Sequence, residues 1–147
     1  MAYEFKLEAL RKFRQHQEDE KQKKLADAQR NLEAALDQLS ALLAQRERTE
    51  EELQQCQQQS TTGQQITVYL QFLQKLAGDI AQQQETAAGL RHTCDLAREE
   101  VLEAMKQRKI LDKLKEKEWK RYLDNLNHEE EKFIGEMAIN RYIHRQG

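Results

Sequence analysis

Stepped in threes and fours, the first half of the chain places Leu25, Ala28, Leu32, Ala35, Leu39, Leu42, Arg46, Thr49, Leu53 and Cys56 on one line. This is a heptad seam with two polar interruptions, the mark of a helix that buries a narrow stripe. The same period restarts at Ile66 and runs through Tyr69, Leu73, Leu76, Ile80, Gln83, Ala87, Leu90, Cys94, Ala97, Val101 and Ala104, with Leu111 one heptad further on. Beyond Leu111 the stripe advances by one position, to Trp119, Leu123, Leu126, Phe133 and Met137. Such a frame slip relaxes a supercoil without ending the helix.

Between the two seams lies CQQQSTTGQQITVYLQFLQKL, residues 56–76. Ser60, Thr61, Thr62 and Gly63 are poor helix interiors, whereas Thr62 followed three residues later by Gln65 is a capping box that restarts a helix. The expected architecture is all-α: a single coiled-coil hairpin over 1–147, with helix 1 about 4–58, a turn about 59–63 and helix 2 about 64–144. A connector of about four residues leaves two long helices no course but to fold back antiparallel, residue i facing roughly residue 122 minus i. Apolar then faces apolar along the arm: Cys56 meets Ile66, Leu42 meets Ile80 and Leu32 meets Leu90. The segment QHQEDEKQKK, residues 15–24, offers no large apolar side chain and is expected to be loosely held. Below it Phe5, Leu7, Leu10 and Phe13 are expected to pack against Ile110, Leu111 and Leu114. Helix 1 runs out near Tyr3, opposite about Trp119, so the longer helix 2 overhangs at the C-terminus by roughly 40 Å at 1.5 Å per residue.

Composition fits this reading. Apolar types make up 38% and charged types 34%, too polar for a thick core, and there is no proline and only five glycines. A formal net charge of −2 argues against a protein whose main task is to neutralise phosphates, so nucleic acid is not expected as a partner. No window is long and apolar enough for a transmembrane segment or signal peptide, which places the chain in the cytoplasm. Cys56 and Cys94 lie far apart in the hairpin and read as small packing residues rather than a disulfide. Nothing resembles a phosphate loop, a nucleophile elbow or a metal-ligand set, so no enzyme activity and no cofactor or metal is expected.

Three features remain. Val68, Leu70 and Phe72 lie beside the seam just after the turn, in a segment almost free of charge; they either broaden the seam or form an exposed site. Between Lys106 and Arg121 eight basic residues outnumber three acidic ones, and the segment from Asp124 to Glu136 then swings acidic, a polarity suited to docking on a complementary protein surface. The overhang carries an apolar stripe with no partner in its own chain, and another protein is expected to cover it.

The Met-Ala-Tyr-x-Phe start, the turn, YLQFLQKLAGDI and the closing HEEEKFIGEMAINRYIHRQ together resemble FliJ, the small flagellar export family, over essentially the whole chain. The resemblance implies a stalk-like adaptor of the flagellar type III export apparatus. Such an adaptor binds the export ATPase, promotes its ring assembly, contacts the membrane export gate and escorts unloaded export chaperones. It implies a monomer when isolated, cytoplasmic and peripherally associated with the cell membrane at the flagellar base. Export-ATPase contacts are expected at Trp119, Tyr122, Leu123, Leu126, Phe133 and Met137, with Lys113, Lys117, Lys120 and Arg121 steering. The family surface that meets the gate is matched by Gln38, Leu42, Phe72 and Leu76, while Gln45, Thr49, Asp79 and Gln83 depart from it. The alternative from another class is a structural coiled coil that self-associates through the same stripes and has no ATPase partner.

Overall fold

The computed structural model describes residues 3–146. Two α-helices account for nearly all of them: α1 over Glu8–Gln58, 51 residues, and α2 over Gly63–Gln146, 84 residues. They form an antiparallel hairpin in which α2 is the longer, with no strand among the described residues. Residues 59–62 make the turn, and none of the described residues needs a left-handed backbone there. Thr62 caps α2: its hydroxyl accepts the backbone N–H of Gln65 at 3.3 Å, while the Gln65 side chain accepts from Thr61 at 2.6 Å. α1 starts later than the periodicity places it. Residues 3–5 lie outside the helix, Lys6 and Leu7 form a turn, and the Glu8 amide donates to the Phe5 carbonyl at 3.1 Å.

The hairpin divides into two compact units, one spanning Glu20–Leu102 and the other formed by the described residues up to Asp19 and from Glu103. In the first, which holds the turn, the predicted seam is the core. Ala28, Ala35, Thr49 and Leu53 of α1 are buried, as are Leu76, Ile80, Ala87, Cys94, Ala97 and Val101 of α2. The remaining seam positions of both helices in this unit are half-buried, with the single exception of Arg46, which is exposed. Alanine at so many seam positions brings the backbones close, so the larger Leu76 and Ile80 supply most of the burial, about 1.5–3 kcal/mol each. The polar seam residues are satisfied internally. Thr49 donates to the Gln45 carbonyl one turn back at 2.8 Å, and the Gln83 amide crosses to the Ala35 carbonyl at 3.0 Å and to Gln38 Oε1 at 3.1 Å. Near the turn the Cys56 thiol lies 3.8 Å from the Tyr69 hydroxyl, and this contact pushes the Tyr69 phenol up. The Gln38–Gln83 and Lys21–Glu100 pairs fit the expected register to within one residue.

In the second unit the expected apolar closure is largely replaced by charge. Phe5 and Leu111 are buried, but Leu7, Leu10, Phe13, Ile110 and Leu114 stay exposed. They flank the helix contact, where α1 and α2 instead share a continuous ion-pair ladder. Glu18, only 5% exposed, takes the Arg108 guanidinium. Arg108 also holds Asp112 at 2.6 Å, Asp112 meets Arg11 at 3.4 Å, Arg11 meets Glu8 at 2.9 Å, and Glu8 meets Lys115 at 3.1 Å. The segment 15–24 is therefore not loosely held. Three of its charged groups find opposite charges on α2: Glu18 meets Arg108, and Lys21 and Lys24 both reach Glu100 at 3.3 and 3.1 Å. Polarity excluded an apolar seam here, but a charged segment facing opposite charges at matching heights still packs.

The ladder is legible in proton affinity. Hydrogen bonds from Arg11 and then Lys115 pull the Glu8 carboxyl down to about 2, and Lys24 and Lys21 lower that of Glu100. Both groups are more acidic folded than unfolded, so their contribution is present above the ordinary carboxylate range and is lost as pH falls through the folded value. Thermal melts should therefore show stability declining between about pH 4.5 and 2, and Glu8→Gln should flatten that decline while lowering stability at neutral pH. A melt profile unchanged by Glu8→Gln would remove the ladder from the account.

Candidate protein-docking site

The site begins beside the segment that precedes α1. Tyr3 lies against α2 as the centre of an aromatic cluster: its ring meets Trp119 edge-on at 5.0 Å between centroids and Tyr122 at 5.3 Å, and Trp119 stacks on Tyr122 at 5.6 Å. The Tyr3 hydroxyl donates to the Lys115 carbonyl at 3.2 Å, and partial burial, with Glu118 and Glu8 nearby, pushes its phenol up. Sequence reasoning assigned Trp119 and Tyr122 to a partner but missed that Tyr3 already covers part of both. The available signal was an aromatic residue standing at the height of Trp119 in the expected register.

Past this cluster no described residue of α1 or of the segment before it lies beside α2. Every described side chain from Leu123 to Arg145 is exposed. The stripe is intact all the same, with Leu123 and Leu126 each 39% exposed, Met137 42% and Phe133 63%; Ile134, Ile139 and Ile143 are exposed beside it. A shallow groove is lined by Tyr122, Asn125, Leu126 and Glu129. Around Gly135 there is open space. Free apolar positions at heptad spacing on a helix with an acidic surround suit a groove or ring lined by apolar and basic groups.

The candidate cations do not share this face. At 100° per residue, Lys113, Lys117, Lys120 and Arg121 fall on the side of α2 away from Trp119, Leu126 and Met137. Lys120 pairs with Glu116 at 3.8 Å, and among the described residues no ion pair holds Lys113, Lys117 or Arg121. From that side they act on an approaching partner through their field rather than through contacts shared with the stripe.

The four candidate gate residues are split by depth. Leu76 is 3% exposed and belongs to the core, Leu42 is half-buried, Gln38 is exposed but hydrogen-bonded to Gln83, and Phe72 is 37% exposed. Of these, Phe72 offers the most apolar surface, next to the exposed Val68 and Leu70. Among the described residues no group of histidine, cysteine and carboxylate side chains could hold a metal ion, and no helix is long and apolar enough to cross a membrane.

The model of the family described as flagellar FliJ protein matches residues 3–147. No curated protein and no solved structure matches the chain.

Two outcomes are expected. Leu76→Ala should cost about 2–5 kcal/mol in denaturant titrations, whereas Phe72→Ala, starting from an exposed ring, should cost well under half of that; equal losses would place Phe72 in the core. Trp119 is the single tryptophan, so Tyr3→Ala should shift its fluorescence emission to the red with the far-ultraviolet circular dichroism unchanged. An unmoved spectrum would mean that the N-terminal segment does not cover it in solution.

Proposed function

The chain belongs to the FliJ family of flagellar proteins, and on that premise we propose that it is a stalk-like adaptor of the flagellar type III export apparatus. Family membership carries a role related to flagellar export. The finer reading rests above all on the overhang: a helix of 84 residues paired with one of 51 leaves an apolar stripe that water alone surrounds. In this reading residues 1–147 act as one domain, and the export ATPase covers the stripe at Trp119, Tyr122, Leu123, Leu126, Phe133 and Met137. Tyr3 holds the first two in place, and Lys113, Lys117, Lys120 and Arg121 steer the approach. Binding at this end promotes ring assembly and turnover of the ATPase without chemistry of the adaptor's own. The patch around Phe72, supported from beneath by Leu76 and Leu42 and bordered by Gln38, meets the cytoplasmic part of the export gate. Export chaperones are further partners, and the protein works in the cytoplasm, held at the membrane through these contacts. The buried position of Leu76 and the internal hydrogen bond of Gln38 leave Phe72 as the main gate contact.

Truncation after Tyr122 keeps the aromatic cluster and removes the stripe beyond it. The full chain added to purified export ATPase should raise the hexamer population and the turnover rate, and the truncated chain should do neither while retaining the melting behaviour of the hairpin. Undiminished stimulation by the truncated chain would move the site elsewhere. Absence of any stimulation by the full chain, together with a concentration-dependent dimer in light scattering, would favour the self-associating coiled coil.

A further inference from the structure

The side of the second unit that carries the ion-pair ladder accounts for Arg11, Arg108 and Lys115. The opposite side is accounted for by nothing described so far. It is marked by Arg14, which reaches across to Gln107 at 2.5 Å and to Gln17 at 3.0 Å, and whose guanidinium stands 5.9 Å over the Phe13 ring. Helical spacing puts Leu10 one turn before Arg14 on that side. Ile110 and Leu114 fall three and seven residues after Gln107, at the same heights. The register that pairs Arg11 with Asp112 thus sets Leu10 and Phe13 on one bank and Ile110 and Leu114 on the other, along the furrow between α1 and α2. Exposure runs from 39% at Leu10 to 59% at Ile110. Four large apolar side chains on one side of a two-helix unit are not scattered surface residues.

Charge around this furrow is one-sided. Lys117 and Arg121 continue the Ile110–Leu114 line by the same spacing, Lys113 lies at its edge, and no ion pair among the described residues holds any of the three. Of the acidic residues near this height, Glu8 and Asp112 face the ladder, Glu118 lies near Tyr3, Glu116 pairs with Lys120, and Glu103, which accepts from Gln107 at 3.4 Å, stands one turn before Gln107, short of the four apolar side chains.

We propose that this furrow, lined by Leu10, Phe13, Ile110 and Leu114 and edged by Lys113, Lys117 and Arg121, is a second docking face that takes an acidic amphipathic helix of a partner protein. A third helix laid between two antiparallel ones places its apolar ridge in the furrow. Glutamate or aspartate on its flanks then meets cations that no ion pair among the described residues holds. A membrane surface fits less well, because the same helix turns acidic within a few residues, at Asp124 and Glu129 to Glu131. The face lies apart from the overhang stripe but shares Lys113, Lys117 and Arg121 with the steering of the export ATPase, so it is told from that role by its apolar residues Leu10, Phe13, Ile110 and Leu114.

The test uses the full chain and a fluorescein-labelled peptide of about 20 residues, long enough to span the furrow, with leucine at heptad a and d and glutamate on the flanks. Anisotropy titrations should show saturable binding that weakens with salt. They should show a loss of about tenfold or more in the Lys113→Glu/Lys117→Glu and Phe13→Ala/Ile110→Ala chains, both helical by circular dichroism, and no change in Phe133→Ala/Met137→Ala. A peptide with lysine in place of glutamate should not bind. Equal binding of both peptides, no binding to the wild-type chain, or loss only in Phe133→Ala/Met137→Ala would overturn the assignment. So would a dimer in light scattering, or co-sedimentation with phosphatidylcholine–phosphatidylglycerol vesicles, abolished by Lys113→Glu/Lys117→Glu, since either gives the face to a second copy or to a membrane.

Discussion

The structure depends on a mismatch of lengths across a short turn. Residues 59–62 are too few to let two helices diverge, so α2 must return along α1, and 84 residues cannot be covered by 51. Everything that distinguishes the two ends of the molecule follows. At the turn the seams meet in register and bury alanine, leucine and isoleucine. At the other end, among the described residues ahead of α1, Tyr3 lies on Trp119 and Tyr122 and Phe5 is buried. Beyond that the apolar stripe continues along α2 with every described side chain from Leu123 to Arg145 exposed.

The charged stretch between the two apolar regions has a different role from the seams. Exposed ion pairs contribute little singly, and most rungs of the ladder are partly solvated. Glu18 is the exception, being nearly buried beside Arg108. Removing either partner would strand a charge, which costs more than the pair itself contributes. A slip of one helical turn would set Glu18 against Asp112 or Ala104, so the pair discriminates against the wrong register more than it adds to stability. That matters in a seam rich in alanine, whose shallow knobs resist sliding weakly.

What could be read from the sequence was what has a period. Every seam position from Leu25 to Cys56 and from Ile66 to Ala104, apart from Arg46, is buried or half-buried, because the heptad repeat itself carries the information on which face is covered. The overhang was legible for the same reason, since register fixes where the shorter helix ends. The errors fall where period is silent. Pairing Leu10 and Phe13 with Ile110 and Leu114 matched heights correctly but ignored azimuth, and these side chains sit on one flank instead of between the helices. Reading residues 15–24 as slack equated the lack of apolar groups with the lack of packing, whereas complementary charge on α2 holds Glu18, Lys21 and Lys24. Tyr3 was overlooked as a contact because it lies outside any helix, where periodicity has nothing to say.

Gly135, with open space around it on an exposed stretch of α2, is a weak link in an otherwise strong helix former. A glycine in a solvent-facing helix interior costs about 1 kcal/mol relative to alanine, and no tertiary packing offsets that cost here. The eleven residues from Glu136 to Gln146 span about 16 Å as helix but up to about 37 Å if drawn out. Gly135 thus marks the point in the exposed stretch where the helix is intrinsically least favoured, and a change of length there leaves the packed helices behind it untouched.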